Sequence, residues 1–176
     1  MCEESITVFR ELGDMHAAAH PLASLVALSV LTSNWGAARA RLTEVLALIA
    51  EHDVQSIGEQ VLHHAALLSC KTATGTIASS VLLPAQARAV MLEGAAERLR
   101  EALSTPIIPA EREVHATFVA ALRAGLGNEA FTSAWEKGRA MAFDEVIAWT
   151  REWIEHLNAA EAESERTDAH AHAVSP

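Results

Sequence analysis

The chain has 176 residues, 51% of them apolar and 5% aromatic, with no tyrosine and a formal net charge of −10. That length suits one domain with a sizeable core, and the dominance of alanine and leucine favours helix over strand. The acidic balance argues against direct nucleic-acid binding, which rests on lysine and arginine neutralising phosphates, and two cysteines, Cys2 and Cys70, make neither a disulfide framework nor a zinc spacing.

Glu3 to Leu12 places Ile6 and Phe9 on one face of a first helix. Gly13 stops it and Asp14 caps the next. The second helix is apolar almost all round (Leu22, Leu25, Val26, Leu28, Leu31) and is expected to be central; Pro21 kinks it or marks its start. Met15 to Ala38 carries no formal charge, but His16, His20, Pro21 and several hydroxyl residues interrupt it, so no membrane span is expected. No secretory leader is visible in MCEESITVFREL, and a cytoplasmic location is the expectation.

Ser33 and Asn34 break the pattern before a third helix, about Trp35 to His52, with Ala38, Leu42, Val45, Leu46 and Ile49 inward. Asp53 is expected to cap a fourth helix reaching Cys70. KTATGTIASSVLLP reads as a long loop, with Pro84 opening the next helix to about Leu103. After the STPIIP break, Pro109 sits in the first turn of a helix closed by Gly125 and Gly127. A short helix holds Phe131 and Trp135, and the last aligns Val146, Trp149, Trp153 and Leu157. Residues 159–176 lose apolar bulk and are expected to form a disordered acidic, histidine-containing tail.

VFRELGD (8–14) aligns with ALIAEHD (47–53), a repeat of 39 residues by subtraction of the starting positions. Such a period, with two helices per unit, belongs to stacked helical hairpins. Glu3–Leu12 reads as the second helix of a unit without its first, so a fragment or truncated relative of something longer is expected.

NWGAARARLTEVLAL resembles the second helix of a tetratricopeptide repeat. RAVMLEGAAERLREAL and IPAEREVHATFVAALRAGLGNEAFTSAWEKGRAMAFDEVIAW resemble the end of the TPR-like, MalT-like helical region of bacterial LuxR-type and SARP-type regulators and related signalling ATPases. The residues that carry the likeness are Gly94-Ala95-Ala96, Pro109-Ala110-Glu111-Arg112, Leu126-Gly127 with Phe131, Ala134-Trp135, Gly138-Arg139 and Asp144-Glu145. Ala142 departs from it, standing where a serine cap is expected. The resemblance implies an all-α fold, an α–α superhelix of TPR-like hairpins (repeat units over 3–105, cap helices over 109–158). It also implies an interaction or regulatory scaffold module with a protein or peptide partner, a small-molecule or peptide effector-binding module being the alternative. A homo-oligomer is compatible with either. The ATPase and DNA-binding parts of such regulators have no counterpart here: no Gly-Lys pair of a phosphate loop occurs. On this reading Phe131, Trp135 and Trp149 plug the end of the stack, Gly127 and Gly138 end helices, and Arg139 ties a carbonyl or nearby acid.

No catalytic centre, cofactor or metal site is expected. His16 and His20 share a helix face but lack the glutamate of a metalloprotease motif. His63 and His64 point about 100° apart on a helix and cannot chelate together. Glu97 to Glu101 reads as a solvated charged face, and Asp144 and Glu145 as acids at a helix N-terminus. The expected partner surface is a concave groove of His20, Ala23, Ala27 and Val30 on one unit and Glu59, Leu62, Ala66 and Ser69 on the next. The same residues serve equally well as packing against a neighbouring helix or another copy of the chain.

Overall fold

The computed structural model describes residues 2–72 and 79–173, without the side chains of 72, 79–84, 164, 165 and 167–173. The all-α expectation holds. The described residues form eight helices, α1 (Cys2–Glu11), α2 (Met15–Leu31), α3 (Trp35–His52), α4 (Gly58–Thr72), α5 (Ser79–Leu103), α6 (Arg112–Leu126), α7 (Asn128–Ala140) and α8 (Phe143–Ala173), with one 3-10 turn, Gln55–Ile57, and no strand. Among them no helix is long and apolar enough to cross a membrane.

Local chemistry sets most of the boundaries. Gly13 takes a left-handed φ of 72° after α1, and the Asp14 side chain accepts a hydrogen bond from the Ala17 N–H to open α2. Asn34 caps α3 in the same way through the Ala37 N–H. Pro21 lies inside α2, so it is not the start of that helix. Asp53 has the opposite role from the one expected: in a left-handed conformation (φ 50°) it ends α3, and the 3-10 turn leads into α4. The helix proposed to begin at Pro84 already begins at Ser79, and the rest of the expected loop, 73–78, lies outside the described residues. Pro109 precedes α6 instead of opening it, since the helix starts at Arg112.

The core lies where α2, α3, α4 and α5 meet, around Leu22, Val26, Leu42, Leu46, Ile49, Leu62, Leu68 and Leu92. Burying each of these leucines stabilises the fold by roughly 1.5–3 kcal/mol before entropy is counted. α7 packs along α5, and two glycines make that crossing close. A β-carbon on Gly94 would stand 2.4 Å from the Trp135 carbonyl oxygen, and one on Gly138 would stand 1.9 Å from that of Met91. Gly138 therefore lies buried inside α7 and does not terminate it.

α8 turns back across α3. Asn158 Nδ2 donates to Thr43 Oγ1 (3.3 Å), and Glu161 pairs with Arg39. The helix runs on to Ala173, through most of the expected tail. Alanine, glutamate and arginine propagate a helix already started, and Glu161 gives this stretch an anchor. Ala142 lacks a capping hydroxyl, but Glu145 reaches back to the Ala142 N–H (3.3 Å), so one first-turn donor is still satisfied. The buried face of α8 is Val146, Ile147, Thr150 and Ile154, rotated from the expected line, which leaves Trp149 and Trp153 half-buried beside it.

Candidate functional site

Glu93 is the unusual residue of the core. It stands on the face of α5 that carries Ala89, Val90, Leu92 and Ala96, and its side chain is 0% exposed. A carboxylate moved out of water costs several kcal/mol unless it is paired. Here it is paired twice: His63 Nδ1 on α4 donates to Oε1 (2.5 Å), and His115 Nε2 on α6 donates to Oε2 (2.8 Å). Burial pushes the Glu93 pKa up, but the hydrogen bonds and charges of His115 and His63 outweigh it and hold the group down at about 2. One donor atom from each of the three residues lies within 4.8 Å of the other two.

The surroundings fix the imidazoles. The His63 ring meets the Phe118 ring edge-on at 5.9 Å and tilts against the His115 ring at 5.4 Å. His64 diverges from its neighbour: its Nδ1 donates to the Gln60 carbonyl of its own helix (2.7 Å). Burial, and after it the charge of His63, push the His64 pKa down to about 4, so it stays neutral at pH 7. Cys70 lies seven positions beyond His63 on α4; burial, with the Glu93 charge second, pushes its thiol up to about 11.

His115 also borders an open groove of about 770 Å³ between α6 and α7. Ala116, Ala120 and Ala124 recur every four residues along one wall, with Val119 beside them. Phe131 and Trp135 stack at the base with centroids 5.4 Å apart, and the Arg123 guanidinium lies 4.1 Å above the Phe131 ring. Trp149, grouped with these two in the sequence reading, stands half-buried on α8 instead. Arg139 does tie nearby acids: it reaches Glu97 (3.0 Å) and, through two nitrogens, Glu101 (2.8 and 3.2 Å), so the face expected to be merely solvated is an α5–α7 ion-pair cluster.

The residues proposed for a concave groove lie elsewhere. Ala23, Val30, Leu62, Ala66 and Ser69 are buried within the chain, with Ser69 donating to the Ala85 carbonyl (2.9 Å). Glu59 pairs with Arg100 (3.2 Å), Ala27 is half-buried, and His20 is exposed 3.5 Å from Ser56. Neighbouring helices cover most of this set, because the stripe chosen as concave is the one that packs α2 and α4 into the core.

Sequence reading missed the cluster because its members come from three helices with no fixed spacing. The available signal was Glu93, one acid in the apolar run AVMLEGAA. Two imidazoles and a carboxylate can share protons or hold a divalent ion of the zinc class. No family model matches the chain, nor does any curated protein or solved structure.

Proposed function

We propose that the chain is a protein-interaction module that takes an amphipathic helical segment of a partner into the groove between α6 and α7. The observation that carries this reading is the state of α6. Leu122 is the one residue of α6 that is buried, while Ala116, Ala120 and Ala124 are exposed along the groove wall. Small side chains let a second helix approach closely, and an apolar stripe left at the surface is the usual receptor for helix-in-groove binding. Arg123 at the base gives an acidic residue of the incoming helix a counter-charge.

This agrees with the resemblance to the TPR-like helical regions of bacterial regulators, whose hairpins present such surfaces, and we extend the same proposal to the α–α superhelix. The alternative, a small effector, fits the groove's volume, but the groove lies open to solvent, whereas such sites enclose most of their ligand.

Selection of helical peptides from a display library against the folded chain tests the reading. Selected peptides should carry an apolar stripe with an adjacent acid, and Ala120→Arg should abolish their binding with helicity unchanged. Peptides that bind Ala120→Arg as well as the native chain would overturn it.

A further inference from the structure

We propose that His63, Glu93 and His115 form a metal site of the zinc class that straps α6 to the α4–α5 pair, whatever the groove beside it holds. Three observations converge. The donors come from three separate helices yet lie within 4.8 Å of one another, so the fold assembles the set before any ion arrives. The carboxylate is wholly enclosed while the imidazoles keep 24% and 15% of their surface, which leaves an entry path on the histidine side. Two imidazole nitrogens and one carboxylate are ligands of zinc and its transition-metal neighbours, whereas calcium and magnesium take oxygen shells.

The geometric change needed is small. Ligands about 2.0–2.2 Å from one ion in a tetrahedral arrangement stand roughly 3.3 Å apart. The present spacings are 2.5 Å from His63 Nδ1 to Oε1 and 2.8 Å from His115 Nε2 to Oε2, each within an ångström of that value, and the three donor atoms already lie within 4.8 Å of one another, so each pair adjusts by no more than about 1.5 Å. On binding, His63 Nδ1 and His115 Nε2 give up the hydrogens they now share with the carboxylate. Each neutral ring then carries its proton on its other nitrogen. Cys70 is not among the donors that come within 4.8 Å of one another and stays out of the set. Three protein ligands leave at least one position for water or an incoming group.

The test uses the full chain carrying His16→Ala, His170→Ala and His172→Ala, which removes histidines whose i, i+4 and i, i+2 spacings in the sequence could hold metal weakly. After chelator treatment, titration calorimetry with zinc chloride should show one ion per chain. Cobalt(II) should produce the visible bands of a low-coordinate site, and zinc should raise the melting temperature. Glu93→Gln and His115→Ala should each weaken zinc by at least about 100-fold, the upper end of what losing even an outer-shell partner costs. His64→Gln should leave binding unchanged. If Glu93→Gln loses helicity, His115→Ala decides, because that side chain sits at the edge of the core. Absence of stoichiometric zinc in the folded background protein would overturn the proposal and leave a hydrogen-bonded clamp. Uptake unaltered by Glu93→Gln and His115→Ala would overturn it as well.

Discussion

Gly138 on α7 lies against the backbone of Met91 on α5, so close that a β-carbon on it would stand 1.9 Å from the Met91 carbonyl oxygen. Gly94 makes the reciprocal approach to Trp135, one turn away along the same crossing. Backbone cannot move aside as a flexible side chain does. Gly138→Ala should therefore destabilise the chain by about 1–3 kcal/mol, despite alanine's better helix propensity. Gly36 is the matched control: it is helical with nothing within 4 Å of its missing β-carbon, so Gly36→Ala should stabilise by about 0.5 kcal/mol. Urea unfolding followed by circular dichroism checks both. Equal effects at the two sites would contradict the close crossing.

His64 should make the fold acid-sensitive. Its pKa falls from 6.5 to about 4 on folding, through burial and then the charge of His63. Protons then bind the unfolded chain first. The contribution is complete above pH 6.5 and is lost as the pH drops from there towards 4, on the order of a few kcal/mol. Glu93, held down at about 2, stays ionised across this window. Unfolding midpoints at pH 7 and pH 4.5 should differ less in His64→Gln than in the native chain. An unchanged difference would show that other groups set the acid limit.

The two cysteines should separate by reactivity. Cys2 is exposed, whereas the Cys70 thiol is half-buried and pushed up to about 11. At pH 8 only about one Cys70 in a thousand is thiolate, the nucleophilic form. Alkylation with iodoacetamide followed by intact mass should show a fast first addition at Cys2 and a slow second one. Comparable rates in the folded protein would contradict the placement of Cys70.

Elements marked by short-range chemistry were legible in the sequence. Asp14 announces α2 because an N-cap needs only its own next few residues, and Ser33-Asn34 marks the break between α2 and α3. The stripe of Leu42, Val45, Leu46 and Ile49 is buried as its spacing predicts. Errors arose where a distant partner decides. Gly138 looks like a helix end until α5 is seen against it. The cluster was the least legible part. Glu93 marks itself as one acid in an apolar run, but nothing in the spacing from His63 to His115 says that α4 and α6 bring both rings to the same carboxylate.

Buried Glu93 holds α6 to the α4–α5 pair through His63 and His115. Backbone hydrogen exchange of the chelated, metal-free protein tests this most directly. In His115→Ala the amides of α6 (112–126) should exchange about 10- to 100-fold faster than in the native chain, the range expected when a hydrogen bond to a charged group is removed. Those of α2 and α3 should keep their protection. Unchanged exchange in α6, or an equal loss in every helix, would contradict it.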